Sequence, residues 1–410
     1  MKSYMTLLKE MEYVRTGGSK EELKCAEFIQ EQLKEIGLDS HLEEFEVTET
    51  DVEYVSLKVT KPYEKTIPCK AYFNCANVDN MTKEVYYMAD QESEISYNFV
   101  KDKIVMIDGY LRYWPYKKMI ENGAVGVISC NGSLYVEDCD IDQREIREPL
   151  ASLGKLPAVQ INSKDFFEMV KNDVKEVSIS VKEDTHPGVS RNVVTNIEGT
   201  SDKTIVFTAH YDSTSLSKGS YDNATGVVAL LHIAEYFMNK KPLHNLIFVF
   251  CGSEERGLLG SKAYCKAHKD ELDKIDFDLN VDMIGSYIGP MGSYVMAERK
   301  LMDYVEYVAR EEGYPIKLQY EVGSTDMTPF ADNGIPALAF CRFSNMNPIH
   351  CRFDDTQVVS EKQLTIDINF ITKLADRFAN AKTFMVKRVV PDDMKEKIDV
   401  YLLRKEPKKN

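Results

Sequence analysis

Short apolar runs alternate along this chain with longer stretches in which apolar side chains recur every three or four positions. The first pattern predicts buried strands, and the second predicts helices that pack on them. The clearest strand signals are TIVF from Thr204, NLIFVFC from Asn245, FDLNV from Phe277 and IPALAFC from Ile335. Helical spacing follows in VVALLHIAEYFM, RKLMDYVEYVAREEG and TIDINFITKLADRFANA. This alternation predicts an α/β fold.

Polar residues follow each of these predicted strands, and one more precedes the helix in GSYDNATG. They are His210, Asp212, Asp222, Glu254, Glu255, Asp282 and His350. A single polar strand end usually marks only the place where the chain leaves the core. Several together indicate a site, because open α/β sheets bind ligands at the carboxyl ends of their strands.

The motifs AHYDS, YDNATG, SEERGLLGS, VDMIG and IHCRFDDT occur in this order. In these motifs the sequence resembles the co-catalytic zinc exopeptidase family, which includes bacterial aminopeptidases, glutamate carboxypeptidase and the inactive transferrin receptor. The resemblance implies a mixed central sheet with helices on both faces. It further implies one zinc ion on His210, Asp222 and Asp282, and a second on Asp222, Glu255 and His350. Asp212 would orient His210, and Glu254 would be the general base.

Charge and ligand type are compatible with this assignment. Two dications about 3.5 to 4 Å apart repel each other unless anions lie between them. Asp222, Asp282 and Glu255 supply three negative charges, and a bridging hydroxide would supply the fourth. Imidazole and carboxylate ligands without thiolate suit zinc and also accept cobalt or manganese.

The adjacent pair Glu254 and Glu255 would point to opposite faces of a regular strand. The apolar run has already ended at Cys251, so a turn can aim both carboxylates at one site. The sequence also departs from the family, which commonly has Ser-Asp-His where this chain has Thr325, Asp326 and Met327. A tyrosine that polarises the scissile carbonyl is not clearly placed, and Tyr320 is the nearest candidate.

Length and local pattern predict two domains, because 410 residues exceed what one core usually organises. Residues 1–52 form the first part of a peptidase domain, and residues 186–386 form its catalytic part. Residues 53–185 carry short β-type runs, and their stretch KDKIVMIDGYLRYWPYKKMIENGAVGVISCN resembles the protease-associated domain that many members of this family carry as an insertion. Residues 387–410 are expected to be a C-terminal tail.

The net charge is −15, from 51 basic and 66 acidic residues. This balance argues against nucleic acid or an anionic membrane as a main partner. No apolar run has the length of a membrane span, and the amino-terminal stretch lacks the apolar core of a secretory signal. The nine cysteines form no CxxC pair, which fits reduced thiols. We therefore expect a cytoplasmic protein.

These observations favour a metal-dependent exopeptidase that removes a terminal residue from a peptide by attack of a hydroxide bridging two zinc ions. A receptor-like binding protein would be expected to have lost ligands, and a single-zinc glutaminyl cyclase fits poorly with His210 beside a bridging Asp222. A carboxypeptidase needs cationic groups for the substrate carboxylate. Arg256 and Arg342 lie close in sequence to site residues, yet no arginine cluster is visible, so aminopeptidase is favoured and carboxypeptidase is the alternative. Residue preference and oligomeric state stay open.

Overall fold

A computed structural model describes residues 2–132, 134 and 141–406 of the chain, so Cys139 lies outside the described residues. The fold divides into two compact units. Unit 1 consists of Met1–Val47 and Gly188–Asn410, and unit 2 consists of Thr48–Pro187. The boundaries predicted from the sequence lie between residues 52 and 53 and between residues 185 and 186. Unit 1 is therefore discontinuous in sequence, with unit 2 inserted between its two pieces.

The described helices and strands alternate along most of the chain. The helices are α1 (Tyr4–Glu10), α2 (Lys20–Glu35), α3 (Tyr113–Glu121), α4 (Glu148–Ala151), α5 (Ser163–Lys171), α6 (Thr225–Asn239), α7 (Leu259–Ala267), α8 (Lys300–Glu311), α9 (Met327–Asp332), α10 (Glu361–Ala379) and α11 (Asp392–Tyr401). The strands are β1 (His41–Lys61), β2 (Lys65–Ile67), β3 (Cys69–Ala71), β4 (Val78–Tyr87), β5 (Ile104–Asp108), β6 (Gly126–Asn131), β7 (Ala158–Asn162), β8 (Glu176–Ile197), β9 (Thr204–His210), β10 (Asn245–Cys251), β11 (Ile275–Val281), β12 (Met291–Met296), β13 (Lys317–Gln319) and β14 (Ala337–Arg342).

The sheet of unit 1 has the strand order β13-β12-β14-β11-β9-β10-β8. Strand β9 is parallel to both β10 and β11, and β11 is parallel to β14. Strand β12 is antiparallel to β14, and the second half of β8 is antiparallel to β10. The sheet is therefore mixed, and the carboxyl ends of its central strands lie along one edge.

Alternate residues of β9 show that helices cover both faces of this sheet. Ile205 and Phe207 pack in one buried core together with residues of α6 and α10. Val206, which points the opposite way, packs in a separate core with Tyr264 of α7 and Phe330 of α9. The predicted α/β fold with a mixed central sheet and helices on both faces is thus confirmed.

Local signals explain where the helices of unit 1 begin and end. Helix α2 begins after Ser19, whose side chain accepts a hydrogen bond from the amide of Glu22 at 3.1 Å. It ends before Gly37, which has a φ of +86° and so stops the helix. The tail predicted from Lys387 contains α11, and its Met394 and Ile398 are buried, so this segment is an integral part of unit 1.

Unit 2 has a sheet of its own in which the first half of β8 is followed by β4, β5, β6, β7 and β3. Strands β4 to β7 are parallel to one another, whereas β8 and β3 pair antiparallel at the two sides. A separate apolar core, which includes Ile104, Val127 and Val159, supports it. The likeness of this unit to a protease-associated domain stays a prediction.

Across the described ranges of both units, no helix combines the length and the apolar character that crossing a lipid bilayer requires.

Candidate metal centre

One group of predicted ligands meets at the carboxyl ends of β9 and β11. His210 is the last residue of β9, Asp282 directly follows β11, and Asp222 lies just ahead of α6. The Nε2 atom of His210 lies 3.2 Å from Asp222 Oδ1 and 3.4 Å from Asp282 Oδ1. All three residues are buried, with at most 4% of their surface exposed. Their ligand atoms are close enough together to hold a metal ion.

A second group shares Asp222 with the first. The Nε2 atom of His350 lies 3.1 Å from Asp222 Oδ2 and 3.1 Å from Glu255 Oε1. These three residues also place their ligand atoms within metal-binding reach of one another. The two oxygens of Asp222 thus face two different groups, which is the arrangement expected of a bridging ligand.

Asp212 connects His210 to the turn that carries the two glutamates. Its Oδ1 lies 3.4 Å from His210 Nδ1, on the side of the ring that faces away from the metal-binding group. The same carboxylate accepts hydrogen bonds from the backbone amides of Glu254 at 2.9 Å and Glu255 at 3.2 Å. Asp212 is fully buried. One side chain therefore holds both the imidazole and the glutamate turn, whereas the sequence analysis assigned it only the imidazole.

Glu254 is buried beside the two groups but belongs to neither of them. Burial raises the pKa of its carboxyl well above the usual value, and Glu255 adds to this effect, whereas His210 opposes it. A buried carboxyl that is near a metal-binding group, yet outside it, is suited to taking up and releasing a proton.

The charges of the cluster fit a bound cation. The two ligand groups contain three carboxylates, those of Asp222, Asp282 and Glu255, and two imidazoles, so with these carboxylates ionised one negative charge remains even if both imidazoles are protonated. Burial alone would raise the pKa of Asp222, yet His210 and His350 hold it below its usual value. Asp282 Oδ1 is buried without a hydrogen-bond partner in the described structure. Nitrogen and oxygen donors with unneutralised negative charge suit zinc or a similar divalent ion.

Asp354 supports the bridging residue and was not singled out from the sequence. Its Oδ1 accepts a hydrogen bond from the backbone amide of Tyr221 at 2.7 Å, and its Oδ2 accepts one from the amide of Asp222 at 3.3 Å. The hydroxyl of Ser217 donates to the same carboxylate at 2.8 Å. The signal was present in the motif IHCRFDDT, where Asp354 stands four residues after His350.

The structure does not support Tyr320 as a group that polarises the substrate carbonyl. Its hydroxyl donates to Asp393 Oδ1 of α11 at 2.8 Å, and the guanidinium of Arg299 lies 3.7 Å from the centre of its ring. Met327, which stands where the family commonly has histidine, is fully buried in an apolar core that it shares with Ala337. Tyr320 is thus held by contacts with Asp393 and Arg299, and Met327 is part of an apolar core.

Comparison with known proteins points in the same direction. The profile of peptidase family M28 matches residues 192–372, which include every predicted site residue. Leucine aminopeptidase 2 of Trichophyton equinum is 28% identical over 228 residues, which make up 52% of this chain and 45% of that protein. Aminopeptidase YwaD of Bacillus subtilis is 28% identical over 253 residues, or 58% of this chain and 53% of that protein. The chain thus spans about half the length of the curated relatives it matches.

Solved structures share the fold over nearly the whole chain. The zinc aminopeptidase of Bacillus subtilis has a TM-score of 0.77 at 21% identity, and the match covers 95% of this chain and 98% of that one. The aminopeptidase of Aneurinibacillus sp. strain AM-1 has a TM-score of 0.74 at 21% identity, covering 94% and 95%. Identities this low establish the fold alone. The family profile over residues 192–372, the motifs and the shared fold together make this chain similar to the zinc aminopeptidases of peptidase family M28.

Proposed function

We propose that this protein is a zinc-dependent aminopeptidase that hydrolyses the first peptide bond of a peptide substrate. The observation that carries the proposal is the position of Asp222, whose Oδ1 faces His210 and whose Oδ2 faces His350. A carboxylate shared in this way lets two divalent ions lie side by side. Peptidases and related hydrolases use such pairs.

The two groups of ligands would hold one ion each. His210, Asp222 and Asp282 would bind the first, and Asp222, Glu255 and His350 would bind the second. When bound, zinc supplies a Lewis acid for the scissile carbonyl and lowers the pKa of a coordinated water. Cobalt or manganese would fit the same nitrogen and oxygen donors.

Glu254 is proposed as the general base. Its backbone amide donates to Asp212, so the turn that carries the carboxylate is held beside the ligand groups. The carboxylate takes a proton from the attacking water and then delivers it to the nitrogen of the departing amine. The carbon–nitrogen bond breaks as that nitrogen is protonated, so protons balance over the cycle. Glu254 is ionised again once it has delivered this proton.

Preference for the amino terminus is supported by two independent observations. The aligned curated relatives are named aminopeptidases. Arg342, an arginine near site residues in sequence, is not available to a substrate carboxylate, because its Nε and Nη2 donate to the two oxygens of Asp367 at 2.8 and 2.7 Å. A carboxypeptidase would need a guanidinium that is available to the terminal carboxylate of the substrate.

A matched pair of blocked peptides tests this function. One peptide carries an acetylated amino terminus, and the other has the same sequence with an amidated carboxyl terminus. We expect mass spectrometry to show stepwise loss of residues from the amidated peptide only. Elemental analysis is expected to find two zinc ions per chain, and a chelator should abolish activity until zinc is restored. Cleavage of the acetylated peptide from its carboxyl end would instead support the carboxypeptidase alternative.

A receptor-like protein without catalysis would leave both peptides intact. We regard that alternative as weaker, because the described structure brings together the whole predicted ligand set and the glutamate beside it. Cytoplasmic location stays a prediction.

A further inference from the structure

Residues 15–22, just ahead of and within the start of α2, contact two loops that carry site residues, residues 211–219 after β9 and the glutamate turn after β10. We propose that Arg15 and Glu22 form an amino-terminal brace, a pair of positioning residues that fixes these loops and thereby sets the affinity of the site for zinc. This inference rests on the proposed function, since it takes zinc as the ion. It concerns residues that touch neither the substrate nor the metal ligands' side chains.

The guanidinium of Arg15 is fully buried, and its hydrogen bonds in the described structure go to backbone carbonyl oxygens. Nε donates to Tyr211, Nη2 donates to Gly219 at 2.7 Å, and Nη1 donates to Lys218. Nη1 also donates to Met11 at 2.8 Å within the amino-terminal segment itself. Burying a charge is costly unless its hydrogen bonds are satisfied. This arginine satisfies them by joining the amino-terminal segment to both ends of the loop 211–219.

The carbonyls of Tyr211, Lys218 and Gly219 belong to the single loop 211–219, which joins His210 to the segment that carries Asp222. Tyr211 lies between His210 and Asp212, and Gly219 lies three residues ahead of Asp222. The backbone adds to the connection, because Arg15 N donates to Ser213 Oγ at 3.1 Å and Ser213 N donates to Arg15 O at 3.2 Å. A planar guanidinium has donors in a fixed fork, so it sets the separation of the two ends of this loop. Lysine has no such fork.

Glu22 makes the equivalent connection to the second loop, the turn that carries Glu254 and Glu255. Its Oε1 accepts hydrogen bonds from Ser253 N at 2.9 Å, Ser253 Oγ at 3.2 Å and Ser190 Oγ at 2.8 Å. Its Oε2 accepts one from Gly18 N at 2.8 Å. Ser253 has a left-handed φ of +54° and directly precedes Glu254. Glu22 therefore stabilises the backbone conformation from which the two glutamates project.

The fit between the two segments is close. A Cβ atom added to Gly17 would lie 2.3 Å from the hydroxyl oxygen of Ser253, which is too near for any side chain. The amino-terminal segment thus approaches the glutamate turn at a distance that only glycine permits. A shift of the amino-terminal segment at Gly17 would therefore also move the glutamate turn at Ser253.

The test compares two arginines that bind backbone carbonyls in the same unit. Arg15→Lys keeps the charge but cannot reach the separate carbonyls. Arg388→Lys is the matched control, because Arg388 donates to Ile275 O and Leu272 O, both at 2.8 Å, at the beginning of β11 and away from its ligand-bearing end. Zinc affinity is measured on metal-free protein by competition with a chromophoric chelator. We expect Arg15→Lys to weaken it by about 10- to 100-fold, the effect typical of outer-shell partners, and Arg388→Lys to leave it unchanged.

Glu22→Gln provides a second test, which can be carried out even if Arg15→Lys does not fold. Whichever way the new amide lies, its NH₂ group meets the amide of either Gly18 or Ser253, so one hydrogen bond is lost. We expect a weaker zinc affinity and an altered visible spectrum of the cobalt-substituted protein, with kcat reduced more than KM is raised. A merely structural residue would lower the unfolding midpoint in urea and leave the cobalt spectrum as in the parent.

The outcomes separate this inference from the proposed function. Failure of the parent protein to bind zinc would overturn both. Zinc binding by the parent with equal affinities for the folded Arg15→Lys and Glu22→Gln variants would overturn the brace alone. Should only Glu22→Gln fold, its affinity decides: a loss supports the brace and an unchanged value rejects it. Equal losses in Arg15→Lys and Arg388→Lys would also reject it, since the effect would then not be specific to these loops.

Discussion

Each unit of this chain contains a set of parallel strands, but only one of them builds a metal-binding cluster from its strand ends. In unit 1 the strands end in or just before His210, Glu254 and Asp282, and these side chains are buried together. In unit 2, β5 ends at Asp108, which is exposed, and β7 ends at Asn162, whose side chain caps α5 by accepting from Lys164 N at 2.7 Å. Within the described part of unit 2, no three histidine, cysteine or acidic residues bring ligand atoms together.

The difference teaches that the edge of a parallel sheet offers positions and does not by itself make a site. Unit 1 adds acids and imidazoles that converge, burial that strengthens their interaction, and supporting carboxylates such as Asp212 and Asp354. In unit 2, by contrast, Asp108 is exposed to solvent and Asn162 caps a helix.

The largest effect is expected from Glu254→Gln, which removes the proton acceptor and keeps the size of the side chain. General acid–base groups contribute about 10² to 10⁴-fold in rate, so kcat should fall by that range. Zinc content should equal that of the parent, because Glu254 lies outside both ligand groups. Steady-state kinetics together with elemental analysis check both points.

The neighbouring variant Glu255→Gln serves as the contrast, since it should lose zinc along with rate. If Glu254→Gln lost an ion, or kept most of its activity with both ions bound, the roles of the two glutamates would have to be exchanged or abandoned.

Asp222→Asn is expected to weaken zinc binding at both positions, because its two oxygens face both groups. The loss should exceed the roughly 10- to 100-fold that follows removal of an outer-shell partner. Asp108→Asn is the control in unit 2, an acid at the end of a parallel strand but exposed to solvent. Isothermal titration of metal-free protein with zinc measures both. A variant of Asp222 that still bound two ions tightly would refute the bridging assignment.

Zinc is expected to stabilise unit 1 selectively. At a free zinc concentration 100 times the Kd, binding to the folded form contributes about 2.7 kcal/mol. Hydrogen exchange should therefore slow for amides of β9, β10 and β11, while amides of β5 and β6 keep their rates. Equal slowing in both units would show that the ion does not act through the cluster alone.

A smaller effect is expected in unit 2, whose stability should depend on pH. Burial raises the pKa of Glu183 to about 7, although Lys155 lowers it in part. The folded form then holds a proton that the unfolded form releases near pH 4.5, so the stability of unit 2 should fall as pH rises from about 4.5 to 7. The change should be on the order of 1 kcal/mol, because solvent screens part of the charge. This is checked by urea unfolding at several pH values, monitored through the hydrogen exchange of unit 2 amides. Glu183→Gln should remove the pH dependence of unit 2 stability.

The site could largely be predicted from the sequence because its ligands are marked locally. His210 and Asp282 stand directly at strand ends, and Asp222 stands in a motif ahead of a helix, so each position follows from short-range pattern. The adjacent glutamates were also interpreted correctly as part of a turn, which the left-handed Ser253 begins. The α/β fold followed from the same alternation.

The remainder depends on contacts for which the sequence carries no local signal. Tyr320 was selected because it is near the Thr325–Met327 stretch in sequence, yet it follows β13, the edge strand of the sheet, with β12 and β14 between that strand and β11. In the sequence Arg15 resembles a surface cation, because its partners in the loop 211–219 lie 196 to 204 residues away. Only the fold reveals that it is buried behind the ligand loops.

The discontinuity of unit 1 has a consequence for synthesis of the chain on the ribosome. Arg15 must wait for Gly219, 204 residues later, before their hydrogen bond can form. At about 5 to 20 residues per second, this takes about 10 to 40 s. Unit 2 has meanwhile emerged complete, whereas α1 has Leu7, Leu8 and Met11 without the core that buries them. The nascent amino terminus is therefore the segment that a holding chaperone should bind, and the zinc ligands can be assembled only after His350 has left the exit tunnel.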